Sequence, residues 1–420
     1  MRTYEKYKDS GIGWVGKVPE DWRKCRFKNI MNLITDASTS NNKIGLENIE
    51  SGTGKFVQTD SEFEGNGVAF MPHDIVYGKL RPYLQKVWCA DFEGNAVGDF
   101  FVFRNKCNSV SSFLKYVLLS NNFTQFANGT TYGAKMPRVS SNAILDQEYY
   151  IPTLSEQEAI ANYLDKKTAE IDKIIAEREK KIELLNELKS SIISRAVTKG
   201  INPHAKMKDS GIDWFPFIPC NWEYSSLRHV CKKITDGSHF SPMSQLEGKP
   251  YITVTNVRNN KVYVEEALKI SDEDFRTLVS TGCQPLPGDI LLSKDGTVGR
   301  TAIVTSNDYV VLSSLGILRP SSLVDSKYLE YCLNSNALQM QMQMMMDGSA
   351  LRRITIKKIC NLLVLIPPMH EQLSIVKYLD KKIAEVNNSI STIRKECALY
   401  KEYKQSLISE VVTGKRKVID

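Results

Sequence analysis

The residues best suited to chemistry in this chain lie in glycine-bearing loops, where cationic and aromatic side chains alternate. Cations suit contacts to phosphate groups, and the aromatic and polar side chains between them suit the edges of nucleic-acid bases. In the first half of the chain the candidates fall in two such loops: Tyr77, Gly78, Lys79, Arg81, Tyr83 and Lys86, then Tyr132, Lys135 and Arg138.

The second half carries loops of the same kind, in which glycine lets the backbone approach a phosphate closely. An ordinary hairpin with solvated charges is the alternative explanation for any single loop. Recurrence at matched positions of the two halves favours a binding surface. The candidates are Ser238, His239, Lys294, Asp295, Thr297, Gly299, Arg300, Arg352 and Arg353.

Motifs for catalysis are missing, so we expect no catalytic residue in this chain. There is no phosphate-binding P-loop and no dinucleotide-binding glycine motif after a strand. Residues 366–369 (Ile-Pro-Pro-Met) only echo the Asn/Asp-Pro-Pro-Tyr/Phe motif of adenine methyltransferases, without its polar first residue or its aromatic ring. The Asp-Lys-Lys triplets at 165–167 and 380–382 resemble part of a nuclease motif, but both fall on a predicted helix without a partner acid.

Composition narrows the class of protein further. Lys and Arg number 55 against 48 Asp and Glu, and the resulting charge of +7 permits a nucleic-acid partner without requiring one. The five histidines and nine cysteines have no metal-ligand spacing, so we expect no metal site and no cofactor bound by this chain. The chain has neither a transmembrane run nor a signal-peptide pattern, and the sequence therefore predicts free thiols and a cytoplasmic protein without membrane contact.

The chain contains one unit twice. Residues 6–22 and 206–222 are identical at nine of 17 positions, and residues 151–172 and 366–387 at 12 of 22. The first match has an offset of 200 and the second an offset of 215, so the second copy carries 15 additional residues between 236 and 287. We therefore expect two domains that share a fold and differ in surface.

A long helix is predicted at the end of each copy. No Pro or Gly occurs from Ser155 to Val197. This stretch begins with a capping box (Ser155, Glu158), and Gly200 follows it. Apolar residues recur at heptad spacing, which predicts a coiled-coil seam. The seam residues are Ile160, Leu164, Ile171, Ile174, Leu185, Leu188 and Ile192 in the first helix, and Ile375, Leu379, Val386, Ile393, Tyr400, Tyr403 and Leu407 in the second.

Connectivity predicts how these parts assemble. The first helix delivers the chain from one globular segment to the other, so antiparallel pairing of the helices would relate the two segments by a pseudo-twofold axis. Each globular segment is predicted to be mixed α/β, with strands near 74–77, 100–103, 251–254 and 289–292 and helices near 111–126 and 325–345. An ordinary long amphipathic helix packed on a core is the alternative to the coiled coil.

Together these motifs resemble the specificity subunit of type I restriction–modification enzymes, over essentially the whole chain. Each long helix begins with Ile-Pro-x-x-x-Glu-Gln followed by Tyr-Leu-Asp-Lys-Lys, and each globular segment follows Lys-Asp-Ser-Gly-Ile-x-Trp and Pro-x-x-Trp. The resemblance implies two target recognition domains with their leading segments, at 1–154 and 201–369. It also implies two conserved spacer helices, at 155–200 and, with the C-terminal tail, 370–420.

The resemblance further implies a role without catalysis. Each recognition domain would read one half of a split site on double-stranded DNA. The residues in recognition loops would be Asp74, Ile75, Lys79 and Arg81 in the first domain, and Asp289, Ile290, Lys294 and Gly299 in the second. The helices would set the gap between half-sites and hold two modification subunits, which bind S-adenosylmethionine. Restriction subunits would add ATP- and Mg-dependent translocation and cleavage. Two alternatives remain open at this point, namely a coiled-coil scaffold that does not contact DNA and a self-contained DNA methyltransferase or nuclease.

Overall fold

The first copy of the unit is a mixed α/β domain that ends in a long helix. The structure is a computed structural model that describes residues 3–38, 40–106, 108–348 and 352–418. The strands of the first copy are β1 Tyr7–Asp9, β2 Lys17–Pro19, β3 Arg23–Arg26, β4 Met31–Ile34, β5 Ala37–Ser38, β6 Lys43–Ile44, β7 Gly67–Phe70, β8 Ile75–Gly78, β9 Val87–Cys89, β10 Gly94–Ala96, β11 Phe100–Asn105 and β12 Glu148–Ile151. Its helices are α1 Ser111–Leu119, α2 Asn121–Gly129, α3 Ser141–Leu145 and the long α4 Leu154–Lys199.

The second copy repeats this order and adds elements in its middle. Its strands are β13 Met207–Asp209, β14 Phe217–Pro219, β15 Glu223–Ser226, β16 Cys231–Asp236, β17 Lys249–Ile252, β18 Val257–Arg258, β19 Lys261–Val262, β20 Leu268–Ile270, β21 Ile290–Ser293, β22 Thr301–Ile303, β23 Val310–Val311, β24 Leu315–Pro320 and β25 Leu363–Ile366. Its helices are α5 Leu227–Val230, α6 Asp272–Ser280, α7 Ser326–Leu333, α8 Asn336–Met345, α9 Ile356–Cys360 and the long α10 Met369–Val412.

The structure places the repeat in the same elements that the two sequence offsets mark. The terminal hairpin β1–β2 matches β13–β14 at an offset of 200, whereas β8, β11 and β12 match β21, β24 and β25 at an offset of 215. The additional residues of the second copy lie between these two groups, in a region that holds β17 to β20 and α6. The two domains therefore share these strands, which we call the frame. They differ in the segment between the two groups.

A four-stranded antiparallel sheet forms the centre of each domain. The order is β4-β11-β8-β9 in the first domain and β16-β24-β21-β22 in the second. Paired residues correspond between the two sheets, since Phe103 pairs with Ile75 and Leu318 pairs with Ile290. One face of each sheet packs on helices in the main core, because β-branched and aromatic side chains alternate along these strands.

The sequence predicts these elements well and their ends less well. The strands predicted near 74–77, 100–103 and 289–292 are present as β8, β11 and β21. The stretches 111–126 and 325–345 each form two helices rather than one, since Ser120 and Ser335 interrupt them and cap the helices that follow. The first long helix begins at Leu154, one residue before the predicted Ser155 cap, and the Thr153 hydroxyl accepts a hydrogen bond from its first turn.

The chain divides into two compact units, and each contains one domain with part of both long helices. One unit comprises residues 1–179 and 394–420, and the other comprises residues 180–393. In the first unit, Lys404 Nζ lies 2.6 Å from Asp172 Oδ1, and Arg178 Nε lies 3.3 Å from Glu396 Oε2. The residue numbers of the partners in α10 fall as those in α4 rise, so the two helices run antiparallel in this unit.

The helices also pair within the second unit. Lys189 Nζ of α4 donates a hydrogen bond to Asn387 Oδ1 of α10 at 3.3 Å. Further along, Ile193 and Ala196 belong to the same hydrophobic core as Leu379 of α10. The predicted antiparallel pairing is therefore confirmed within each unit.

The buried residues of both helices recur at heptad spacing, as predicted. At alternate positions of the predicted seam, however, the buried residue is the next one along the chain. Of the predicted seam residues, Ile160, Leu164, Ile171, Ile375, Leu379, Val386, Ile393 and Leu407 are buried, Ile174, Leu185, Ile192 and Tyr400 are half-buried, and Leu188 and Tyr403 are exposed. The buried residues at the alternate positions are Thr168, Ile175, Ala196, Ile390, Cys397, Lys404 and Val411. Apolar residues at both Ile174 and Ile175 made the two registers hard to tell apart from periodicity alone.

A buried lysine occupies one of these heptad positions in the first unit. Lys404 is 5% exposed, and Asp172 accepts contacts at 2.6 Å both from Lys404 and from Lys55 of the first domain. Burial raises the pKa of the Asp172 carboxyl, but hydrogen bonds from the two lysines outweigh burial and hold this pKa below its ordinary 3.8. The cluster therefore ties α4, α10 and the first domain together through charge, and a polar group at a seam position favours one helix register.

Replacing Lys404 should destabilise the first unit far more than replacing a neighbouring exposed lysine. We expect Lys404→Ala to lower the free energy of unfolding by about 2 kcal/mol, because it leaves a partly buried carboxylate with one partner fewer. Lys401→Ala is the matched control, since Lys401 pairs with Glu179 while both side chains are exposed, and should cost less than about 1 kcal/mol. Urea unfolding of the purified chain measures both.

Acid should abolish this difference. A carboxylate with a lowered folded pKa stabilises the fold above its unfolded pKa and loses that contribution as the pH falls through the folded pKa. The gap between wild type and Lys404→Ala should therefore be complete at neutral pH and should shrink below about pH 3.8. A gap that persists unchanged in acid would contradict the ion-pair explanation.

Candidate nucleic-acid interface

The two candidate loops of the first domain form one continuous surface. Leu80 and Arg138 pair as an isolated antiparallel bridge. The backbone N–H of Arg81 donates to the carbonyl of Pro137 at 2.8 Å. The sequence separates these loops widely, and the fold brings them side by side.

The second domain builds the same surface at an offset of 215. Asp295 and Arg353 form the equivalent bridge, and the N–H of Gly296 donates to the carbonyl of Arg352 at 2.9 Å. Arg81 and Gly296, at the same position of the turn, both have positive φ, 50° and 72°. Residues 349–351 of this second loop lie outside the described residues.

In the first domain, the candidates that reach solvent are those at the tips of the two loops. Arg81 and Lys135 are exposed, and Tyr83 and Tyr132 expose half or more of their surface. The cations and the aromatic rings predicted to act together are therefore on the same surface.

Four other candidates of the first domain are parts of the frame. Tyr77 is buried in the main core, and burial raises the pKa of its hydroxyl. Gly78 is also buried, and a Cβ there would lie 3.0 Å from Leu46. Lys86 donates to the carbonyls of Leu46 and Ile49 at 2.6 and 2.8 Å, and burial lowers its pKa. Tyr77, Gly78 and Lys86 therefore support the loops from inside the domain. The fourth candidate of this kind is Arg138.

Arg138 is held by an acidic partner that periodicity did not reveal. Its Nε and Nη2 donate to the two carboxylate oxygens of Asp99 at 3.0 and 2.9 Å, and Lys79 Nζ lies 3.8 Å from the same carboxylate. The hydrogen bonds from Arg138 hold the pKa of Asp99 below its ordinary value. A bidentate pair of this kind restrains the guanidinium and reduces its availability to a phosphate.

The corresponding arginine of the second domain has no such partner. Ser314 stands where the first domain has Asp99, at the offset of 215. Arg353 is exposed, as are its neighbour Arg352 and the nearby Arg300, and none of the three forms an ion pair among the residues that the structure describes. The second domain therefore presents three free guanidinium groups at its paired loops.

Lys294 lies beneath this surface and is neutralised there. It is buried, with Nζ 3.1 Å from Asp295 and 3.5 Å from Asp236. His239 Nε2 lies 3.2 Å from the same Asp236, and its ring is exposed. Ser238 is buried, and its hydroxyl donates to the carbonyl of Phe240 at 2.6 Å. Of these, only His239 is placed to contact a ligand.

The turn at Gly299 requires glycine for a structural reason. Gly299 has φ of 96°, and a Cβ there would lie 2.5 Å from Gln339 Oε1. Thr297 is exposed, and its carbonyl accepts the Ser293 hydroxyl hydrogen bond at 2.5 Å. Gly299 thus lets the chain pass Gln339 closely and directs Arg300 outward.

Asp74 and Asp289, which the family resemblance placed in recognition loops, are buried braces of the central sheets. Each carboxylate receives two hydrogen bonds from an arginine of the neighbouring strand, Arg104 at 2.8 and 2.7 Å and Arg319 at 2.8 and 2.8 Å. These carboxylates face the arginines and not solvent, because they close the turn that leads into β8 and β21.

The structure also contains a group of exposed apolar residues that the sequence analysis did not select. Phe240, Met243 and Leu246 lie in the loop between β16 and β17. Periodicity could not find them, since they belong to no helix or strand. The sequence feature that could have identified them is their position in the stretch where the two copies cannot be aligned.

Neither a metal-binding cluster nor a membrane-spanning helix occurs among the described residues. They contain no group of three or more His, Cys, Asp or Glu side chains placed to hold a metal ion. Among them, no helix is long and apolar enough to cross a membrane. The cysteines in the described residues are free thiols, and Cys107 lies outside them.

Comparison with known proteins agrees with this architecture. A model of the type I restriction modification DNA specificity domain matches residues 219–396. The MjaVIII specificity subunit of Methanocaldococcus jannaschii is 22% identical over 96% of this chain and 94% of its own length. The EcoBI specificity subunit of Escherichia coli is 21% identical over 98% of this chain and 90% of its own. These comparisons confirm the resemblance to type I restriction specificity subunits that the sequence motifs indicated.

Solved structures confirm the predicted fold class. A chain from a structure concerned with assembly and conformational transition of the type I R-M system matches with a TM-score of 0.71 and 19% identity over 94% of this chain and 98% of its own. The HsdS subunit of Thermoanaerobacter tengcongensis matches with a TM-score of 0.52 and 19% identity over 95% and 98%. The mixed α/β class with two domains and long coiled-coil helices is thus confirmed.

The brace at Asp289 predicts a stability effect without a change in surface. Asp289→Asn should destabilise the central sheet of the second domain by about 2–3 kcal/mol, because Arg319 loses a buried bidentate partner. Hydrogen exchange of the β21 and β24 amides measures this locally. Glu266→Gln is the control, since Glu266 pairs with Arg258 at the surface of the same domain, and should change exchange by less than about 1 kcal/mol. Equal effects of the two substitutions would contradict the assignment of Asp289 as a brace.

Proposed function

We propose that this protein is the DNA-specificity subunit of a type I restriction–modification complex and reads a bipartite target, with one half-site for each recognition domain. The observation that carries the proposal is the paired-loop surface, built twice at matched positions in a chain whose relatives over nearly its full length are specificity subunits. The two alternatives, a scaffold without DNA contact and a self-contained enzyme, are not favoured by these relatives.

The geometry supports a division of labour on each surface. Exposed cations such as Arg81 and Arg300 suit backbone phosphates, which fix the position of the duplex and carry little sequence information. Exposed polar and aromatic groups such as Tyr83 and Tyr132 suit base edges, which carry the sequence. Because the frames match and these side chains differ, the two half-sites should differ in sequence.

The long helices act in this proposal as the spacer between the half-sites. Their heptad pairing gives a rod whose length depends on the number of residues and not on their identity. Two readers joined by such a rod would select a fixed gap, as dimer geometry fixes half-site spacing in other DNA-binding proteins.

The partners and chemistry follow from the family. We propose that the helices hold two modification subunits and that restriction subunits join the complex, all in the cytoplasm. S-adenosylmethionine, ATP and Mg would be bound by those partners, and this chain would bind no cofactor and catalyse no reaction.

The free arginines of the second domain provide the first test. The complex with its modification subunit is used to methylate host DNA, and single-molecule sequencing gives the target, which is then made as a duplex. Arg300→Ala and Arg353→Ala should each weaken binding to this duplex about tenfold at moderate salt and should lower the slope of log affinity against log salt by about one. Arg81→Ala should act similarly through the first domain.

A matched arginine outside the paired loops controls for net charge. Arg276 is exposed on α6, and its guanidinium donates to the carbonyl of Asp272 in its own helix. Arg276→Ala should leave affinity within about twofold of wild type. Unchanged binding by all three loop variants would show that the paired loops do not contact DNA.

The spacer proposal makes a separate prediction. One heptad inserted into each helix, after Ile182 in α4 and after Ser389 in α10, keeps the seam in register and adds about 10 Å. At about 3.4 Å per base pair, the gap in the methylated target should lengthen by about three base pairs, with both half-site sequences unchanged. Matched insertions of four residues break the register and should abolish methylation. A target with unchanged spacing after the heptad insertion would contradict the spacer role.

A further inference from the structure

The loop between β16 and β17 exposes three apolar side chains at once. Phe240, Met243 and Leu246 are 60%, 84% and 101% exposed. Single exposed apolar residues are ordinary, but several together mark a contact surface. No element of the described residues covers them, so the contact lies outside the second domain itself.

The loop is braced at its base, which holds the apolar side chains in place. The Tyr251 hydroxyl donates to the carbonyl of Phe240 at 3.1 Å, and the Ser238 hydroxyl donates to the same carbonyl at 2.6 Å. At the other end, the N–H of Gln245 donates to the carbonyl of Lys269 at 2.8 Å. A loop fixed at both ends presents its tip at low entropic cost on binding.

The base of this loop adjoins the paired-loop surface. The N–H of Ser313 donates to the carbonyl of Ser238 at 2.8 Å, and the N–H of Lys294 donates to the carbonyl of Ser314 at 2.9 Å. The adjacent residues Ser313 and Ser314 thus bond to the start of the apolar loop and to the start of the paired loops, respectively. The exposed apolar side chains are therefore carried by a loop whose base adjoins the paired loops that hold Arg353.

The surrounding charge identifies the occupant as nucleic acid. The exposed cations of the adjoining paired loops are Arg352, Arg353 and Arg300, with His239 at the start of the apolar loop and one exposed acidic residue, Glu247, at its end. A polyanion with apolar groups between its charges complements this pattern. In duplex DNA the apolar group on a major-groove base edge is the C5-methyl of thymine.

We infer that Phe240, Met243 and Leu246 contact thymine methyl groups of the second half-site and help to specify its sequence. This inference rests on the proposed function and adds residues that distinguish the two half-sites. The loop lies within the stretch, between 236 and 287, where the two copies differ by 15 residues. A segment of this kind can give one domain a preference that the other lacks.

Deoxyuridine substitution tests the inference directly, because it removes the methyl group and keeps every base-pairing atom. With the wild-type complex and the methylated target made as a duplex, replacing thymines of the second half-site one at a time should weaken binding about three- to fivefold at each contacted position. In the triple variant Phe240→Ser, Met243→Ser, Leu246→Ser, the thymine duplex should bind more weakly and the deoxyuridine penalty should disappear.

Two controls separate the possible outcomes. Leu323→Ser replaces an apolar residue that is 55% exposed between β24 and α7, and it should keep the deoxyuridine penalty. Deoxyuridine in the first half-site should act equally on wild type and triple variant. A penalty that survives in the triple variant, or no penalty in wild type at any thymine of the second half-site, would overturn the inference. Failure of the wild-type complex to bind the duplex at all would instead overturn the proposed function.

Discussion

The structure depends on how each recognition domain is fixed to the first turns of its own long helix. A buried glutamine makes this connection in both copies: Gln157 accepts the N–H of Val110 and donates to Pro152 at the helix start, and Gln372 does the same with Asp325 and Pro367. An amide buried this deeply is costly unless both its ends are satisfied. The domain therefore cannot turn on its helix without breaking these bonds, so the position of each paired-loop surface is set by the helix that carries it.

This constraint explains the motifs that the two copies share. Glu156 and Glu371 follow the same helix starts and accept hydrogen bonds from the indoles of Trp22 and Trp222, whereas the Asp-Lys-Lys triplets place Asp165 and Asp380 against buried tyrosines. Residues that resembled a nuclease fragment are thus docking contacts. The repeated sequence encodes the attachment of a reading surface, and the unrepeated sequence encodes the surface. Asp99 against Ser314, and the apolar loop of the second domain alone, are differences of the second kind.

Much of this fold was predictable from the sequence, and the failures have physical causes. The offsets of 200 and 215 located the repeated elements because identical residues fill identical structural positions. The heptad register was one residue off at alternate positions, since burial of Lys404 depends on Asp172, a partner more than 200 residues away. The exposed arginines could not be told from restrained ones for the same reason: Arg138 and Arg353 occupy equivalent positions, and only a tertiary contact with Asp99 separates them. The local sequence pattern predicts helices and strands, whereas the charge partner of a side chain is known only from the folded domain.

One reading unit occurs twice in this chain, and we propose that each copy reads its own half-site. The most direct measurement uses a chain in which residues 223–365 are replaced by residues 23–150, so that both long helices carry the first recognition domain. Expressed with the modification subunit, this chain should methylate a target in which the first half-site occurs twice in opposite orientations, separated by a fixed gap, as read by single-molecule sequencing of host DNA. A methylated target that still contains the original second half-site would contradict the account.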